Sequence, residues 1–536
     1  MRAMKMKKVI SISRLLSVAM MAVALLFTAT AYAAAPGITG MGATGTFHLT
    51  AQTAFISQPD GAAIYSWGYG CTTGTATFAP AAITTGVCNT MQVPGPTLIV
   101  TEGQLVTVTL TNGLPAAAGN TSILFPGFTV TATGGVAGLL TNEATPGGTP
   151  VTYTFTATSP GTRSYYSGTQ SDLQVEMGLY GAIIVLPKTI PANCTSGLAA
   201  ANLTAEAANG ESNFRLAAAA YDHPNTCYDR EYLFQFAEMD ADIHSQALAQ
   251  VTARSSCVAG DVGCSLNVAT EPYHPEYFLI NGRSMPDDMD PNYATQYPHQ
   301  PYNGNPHMHP GELTLIRVIG QGRWQHPFHE HGNHVRILGR DGNLILSSSN
   351  TTAVPALAGP LQFTTTTTPG LAFDGIFYWT AKGLNWDAYG HNPASSDSLA
   401  KLPCTPDANG YNTVDPTAIN YFEWCQDHNK PVQVAPFGDV ESGGPVTLPD
   451  PNILTNGAWY GGSPYLGPDA TVRATGPTGT TPPSGTIANP PTTEAGFAFM
   501  WHSHNEREIT TNNIFPGGML MMMLVDSREF QIDESN

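Results

Sequence analysis

Hydrophobic and polar residues are distributed along this chain in short runs. Pro96–Asn112, PTLIVTEGQLVTVTLTN, opens with an apolar run and continues in strict alternation. Val151–Gly161 (VTYTFTATSPG), Gly311–Gly320 (GELTLIRVIG) and Gly518–Val525 (GMLMMMLV) are of the same kind, set between turn-forming residues. A period of two sends successive side chains to opposite faces of a strand, and fully apolar runs suit strands covered on both faces. Many such segments separated by Gly, Pro and Asn predict an all-β chain built from antiparallel sandwiches.

A faint internal repeat divides the chain. Glu102–Gly127 reads as a strand hairpin, a loop and a further strand, and Pro310–Gly332 has the same layout. The segments Gly161–Leu186 and Gly496–Val525 also resemble each other. Two related sandwich domains are therefore expected, at about 36–190 and 205–528; a chain of this length exceeds one core. A loop-rich insertion at about 385–492 enlarges the second. Its part around Cys404 and Cys425 is expected to form an ordered cap, and Thr475–Pro491 an extended or flexible loop.

The beginning of the chain changes the picture of where it works. Arg2, Lys5, Lys7, Lys8 and Arg14 precede an apolar run from Leu15 to about Phe27, and Ala31-Tyr32-Ala33 is a small-x-small cleavage site. Residues 1–33 read as a secretory signal peptide, too short to anchor in a bilayer. The mature chain is expected to begin near Ala34 and to be exported: periplasmic, cell-surface or extracellular. No later apolar run reaches membrane-spanning length. Without the five leader cations, 16 of the 21 basic residues remain against 40 acidic ones, a net charge of −24. That balance argues against nucleic acid and anionic membranes as partners and is compatible with cations. The eight cysteines fall in near pairs, Cys71/Cys88, Cys194/Cys227, Cys257/Cys264 and Cys404/Cys425, which predicts four local disulfides.

Three stretches carry a family resemblance. GPTLIVTEGQLVTVTLTNGLP resembles the first-domain opening of the multicopper oxidases, SDLQVEMGLYGAIIV their first-domain close, and HPFHEHG (His326–Gly332) their histidine-rich copper motif. The resemblance implies tandem cupredoxin-like Greek-key β-sandwiches, with coppers at domain ends and between domains. It also shows what this chain lacks. The family's two first-domain His-x-His pairs fall on ILFPG (Ile123–Gly127) and YYSGT (Tyr165–Thr169), where no histidine stands. The second domain retains His329, His331, His502 and His504 at positions that match half of the family's eight-histidine cluster. His326 matches its blue-copper histidine.

The family's terminal motif is His-Cys-His followed by a further His and an axial Met. This chain has His502-Ser503-His504, then Glu508, with Met519 at the axial position. Blue copper requires a thiolate, which serine cannot replace near neutral pH. Two histories fit Ser503. Either a cysteine has been lost, or the segment is a His-Ser-His pair of the first-domain kind, with the serine facing away from its neighbours. Both predict the absence of blue copper.

Other residues invite weaker readings. His307 and His309 precede the strand Glu312–Val318 while His326–His331 follows it, so about 20 Å separates the two histidine groups. The run Met519–Met523 suits core packing better than soft copper coordination. Glu330, Glu506 and Glu508 read as solvated, with metal-site support as the alternative. Asp240 and His244 have no matched nucleophile and read as structural. No phosphate loop, nucleophile elbow or metalloprotease helix motif is present.

Two functions remain in view. The first is a secreted copper-binding oxidoreductase of the multicopper oxidase family, with a reduced, non-blue site at His329, His331, His502 and His504. It would oxidise a small phenol or a metal ion by one-electron steps, with His326 as a further candidate ligand. Complete four-copper chemistry needs more ligands than one chain shows; two second domains docked about a twofold axis would supply eight histidines. The second is a non-enzymatic cupredoxin-fold protein that binds copper or serves as an extracellular structural or interaction module. Fold alone does not separate them.

Overall fold

The structure is a computed structural model. It describes residues 35–380 apart from 41–44, 73–76, 84–85, 262 and 349–353, then scattered positions between 405 and 421, strands 462–466 and 487–488, and residues 495–532 apart from 527, 529 and 530. The expected signal peptide, Cys404, Cys425 and nearly all of the expected insertion lie outside the described residues. The chain is mostly β-strand with few helices, as the alternating pattern requires.

Two five-stranded sheets enclose the first core. One has the order Gly161–Tyr166, Tyr180–Leu186, Leu98–Thr101, Gly37–Thr39 and Thr77–Ala79. The other runs Ala63–Cys71, Thr46–Ser57, Leu105–Asn112, Val151–Thr156 and Thr131–Gly134. Alternation determines which side chains enter. Val106, Val108 and Leu110 lie opposite Phe155, Tyr153 and Val151 in antiparallel register, and all six are buried. The apolar cluster they belong to also includes Leu98, Val100, Ile183 and Val185 from the facing sheet.

Two seven-stranded sheets enclose a second core. The first runs Tyr277–Ile280, Arg230–Met239, Leu313–Gly320, Ala372–Tyr378, Val335–Arg340 and Asn343–Leu344, with Leu361–Gln362 on the fifth of these. The second runs His307–Met308, Leu520–Asp526, Ala495–Ser503, His326–Glu330 and Thr364–Thr367, and Gly462–Leu466 pairs with Ala495–Ser503. Ile487–Ala488, inside the stretch expected to be a loop, forms a short strand parallel to Tyr465–Leu466. Met519, Met521 and Met523 are fully buried in the second core beside Phe497, Phe499 and Trp501, so the methionine run is packing.

Every residue of Arg230–Met239 is buried, because each face of the strand is covered. Tyr232, Phe234 and Phe236 point into the second core. Leu233 packs with Ala182 and Ile184, and Ala237 and Met239 pack with Met91, Val93 and Tyr180 of the first sandwich. A buried ionic network crosses the same seam. Arg317 Nε donates to Glu231 Oε1 (2.6 Å), and its Nη1 donates to Asp374 Oδ1 and Thr162 Oγ1 (3.1 Å each). Thr162 Oγ1 and Tyr221 OH also donate to Asp374 (2.6 and 2.7 Å). Replacing Arg317 by Met leaves two carboxylates buried without their cation, so the expected loss of stability is about 3–5 kcal/mol. Urea unfolding of the variant beside the unmodified chain measures it.

One sequence expectation needs correction. Cys71–Cys88 and Cys194–Cys227 are disulfides, but Cys257 and Cys264 are free thiols. Asp240 stands at the start of a helix, Ala241–Ala253. Asp240 caps it by accepting from the amides of Asp242 and Ile243. Ile243 and Ala247 join the first core, and His244 Nδ1 bonds to Tyr65 O (2.6 Å). Among the described residues, no helix is long and apolar enough to cross a membrane.

Candidate metal centre

Strand pairing brings the distant histidine motifs together. His326–Glu330 runs antiparallel to Ala495–Ser503 with His329 opposite His502, Phe328 opposite Ser503 and Glu330 opposite Trp501. Residues directly opposite in such a pair share a face. His329 and His502 therefore project from one face, while Phe328 and Ser503 project from the other. The ladder continues one residue further, where the His504 amide donates to Pro327 O (2.7 Å).

His329, His331 and His502 each place a ring nitrogen within 4.8 Å of the others'. Ring centroids are 5.0 Å apart for His329 and His331, 5.5 Å for His329 and His502, and 5.3 Å for His331 and His502. The His331 and His502 Nε2 atoms face each other at 3.4 Å. His504 stands at the solvent side: its ring is 4.7 Å from that of His329, its side chain is 52% exposed, and Nδ1 is 3.3 Å from Glu506 Oε1.

Hydrogen bonds at the back of the rings orient them. His329 Nδ1 bonds to Thr364 Oγ1 (2.6 Å), its cross-strand neighbour. His502 Nδ1–H donates to Ser503 O (2.7 Å), which directs Nε2 toward His331. Burial, with the neighbouring imidazoles, lowers the pKa of His329 to about 4. Burial also lowers that of His502, against the opposing effect of its bond to Ser503. Neutral imidazoles clustered around a common point are the donor set that a borderline transition metal accepts.

His326 does not join them. It lies on the opposite face, fully buried, with Nδ1 2.9 Å from Glu508 Oε2 and Nε2 2.9 Å from Glu238 Oε2. Both ring nitrogens are committed to carboxylates. Burial by itself would lower its pKa, but the bonds to Glu238 and Glu508 outweigh that and raise it to about 9, so the ring is an imidazolium. Ser503 is on this side too, and its hydroxyl donates to Glu508 Oε2. Met519 is in the core.

The carboxylates divide. Glu506 is exposed as expected, whereas Glu330 and Glu508 are buried. Glu330 accepts from Thr365 Oγ1 (2.7 Å), and burial raises its pKa to about 8. Sequence reasoning missed Glu238, which accepts from His326, from the amides of Arg323 and Trp324 (2.6 and 2.8 Å), and from Tyr273 OH (3.3 Å). The available signal was a carboxylate at the end of an alternating run, Phe234–Met239, in a strand that also carries Arg230, Glu231 and Gln235. His307 and His309 sit apart, bonded to Asp526 and Glu211 in buried pairs of 2.8 and 2.9 Å. In the first sandwich, Ile123, Phe125 and Tyr165 are core residues, and the Phe125 and Tyr165 rings lie 5.8 Å apart.

Comparison with known proteins gives one match in sequence. Residues 71–190 match the family profile described as multicopper oxidase. No curated protein matches the chain. Among solved structures, the chain is similar to a multicopper oxidase, mgLAC, at 15% identity and TM-score 0.42, covering 90% of this chain and 86% of that one. A blue copper oxidase from Nitrosomonas europaea also gives 15% identity and TM-score 0.42, covering 90% and 85%. A copper nitrite reductase from the same organism gives 18% identity and TM-score 0.35, covering 62% and 84%. Over residues 71–190, the chain is similar to the multicopper oxidases.

Proposed function

We propose that this chain is an exported copper-binding oxidoreductase with a reduced, non-blue site held by His329, His331, His502 and His504. The observation that carries this reading is the convergence of three imidazoles whose ring nitrogens lie within 4.8 Å of one another. The donor set fits the group: neutral imidazole suits copper, and the partners of His329 and His502 set the ring orientations. Bound copper would supply one-electron redox chemistry. His329 and His502 provide buried anchors, and His504 stands where solvent or a small phenolic or metal-ion substrate reaches the site.

The second reading is a non-enzymatic copper-binding or structural protein. The core packing of Ile123, Phe125 and Tyr165 favours it, since the first sandwich offers apolar side chains where the family places ligands. Turnover separates the two: the copper-reconstituted protein oxidises a small phenol under the first reading and is inert under the second.

The site also predicts the outcome of restoring the missing thiol. With Ser503→Cys alone, the expected result is no intense visible copper–thiolate band after copper addition. His326 is held at both nitrogens, and Glu508 stands where the family has a further histidine. An absorption spectrum checks this, and a strong blue colour would contradict it.

A further inference from the structure

The residues that flank the closing-strand histidines are tied to one buried carboxylate. Glu508 is 1% exposed. Its Oε2 accepts from Ser503 Oγ and from His326 Nδ1 (2.9 Å), and its Oε1 accepts from Asn505 Nδ2 (2.8 Å). Its own amide donates to Asn505 O (2.8 Å), and its carbonyl accepts from the Met519 amide (2.8 Å). The Asn505 amide in turn donates to Ser503 Oγ (3.2 Å), and the Ser503 amide donates to Met519 O (3.0 Å). One side chain therefore pins residues 503 and 505, on both sides of His504, to the strand that carries His329.

The consequence reaches the imidazoles through the backbone. The Ser503 carbonyl is the acceptor that fixes the His502 ring. The same residue's hydroxyl is held by Glu508, so both bonds depend on where the Ser503 backbone sits. Gly518 closes the arrangement. It has φ +61°, and a Cβ there would meet Glu508 O at 2.2 Å, so only glycine lets the chain pass this close.

We propose that Glu508 is a positioning residue of the imidazole site, acting through Ser503 and Asn505 to aim His502 and His504 at His329. This rests on the reading that the cluster holds a metal. The carboxylate is not a ligand, because it lies on the other face of the strand with Ser503. It sets the tautomer and direction of His502 before any metal arrives. Partners of this kind are worth about 10- to 100-fold in metal affinity.

The test combines a metal-free readout with a binding readout on the full chain. Nitrogen NMR of the apo protein at neutral pH reports the His502 tautomer, expected to be protonated at Nδ1 in the unmodified chain and mixed in Glu508→Ala. Titration with Cu(II) alone should show affinity falling about 10- to 100-fold. Ser503→Ala, which removes one hydroxyl, should show the same direction more weakly, and Ser503→Thr should restore it. If Glu508→Ala fails to fold, Glu508→Gln and Ser503→Ala carry the test. An unchanged tautomer and affinity in these variants would overturn the proposal. If the unmodified chain binds no Cu(II), the metal reading fails, and the tautomer alone then decides whether Glu508 positions His502.

Discussion

Replacing His326 by Ala is expected to lower unfolding free energy by about 3–5 kcal/mol at neutral pH. The ring is the cation between Glu238 and Glu508, all three being at most 2% exposed. Removing it leaves two buried carboxylates without a counter-charge, and transferring such a charge from water is costly unless it is paired. A combined change of all three to apolar residues of similar volume should be milder than the single change, because it removes the buried charges and costs only the acceptors of Tyr273, Arg323, Trp324, Ser503 and Asn505. Denaturant unfolding of the single and triple variants distinguishes a charge clamp from simple cavity formation. A single variant no worse than the triple would contradict the clamp.

The same residue gives stability a pH dependence with a definite sign. Its pKa rises from the ordinary 6.5 to about 9 on folding. The stabilisation is therefore complete below about 6.5 and is lost as pH rises through about 9; a shift of that size corresponds to about 3 kcal/mol. Tyr273 also donates to Glu238, and Ser503 and Asn505 donate to Glu508, so these groups adjust with the clamp. Melting temperatures between pH 6 and 10 should fall in the unmodified chain and stay flatter, for this contribution, in the apolar triple variant.

Much of the fold was legible locally. Strand Leu105–Asn112 announced its buried face through period-two alternation, and the methionine run announced a covered strand. The histidine pairs were legible because residues two apart on a strand share a face. Their convergence required the register between His326–Glu330 and Ala495–Ser503, which no local pattern specifies. The clamp was hidden for the same reason: Glu238, His326 and Glu508 lie far apart in sequence and meet only through tertiary pairing. Glu508 reads as a solvated acid until its partners are known. The helix Ala241–Ala253 was missed because its apolar side is short and docks on the first sandwich, although Asp240 stood ready as its cap.

Loss of the closing-strand pair should have the largest effect on the site. His502→Ala/His504→Ala removes one of the three imidazoles within 4.8 Å and the solvent-side ring 4.7 Å from His329. What remains, His329 and His331, comes from one short segment and cannot enclose an ion. Because these rings face away from the Glu238–His326–Glu508 clamp, stability should change much less than in His326→Ala. Metal retention and folding should thus separate in the two variants.

The most direct measurement is metal content together with EPR, on copper-reconstituted protein, for the unmodified chain beside His502→Ala/His504→Ala. At least one copper per chain with a type 2 signal, lost in the double variant, is the result this account predicts. No copper on the unmodified chain, or the same copper and the same signal in both proteins, would contradict it.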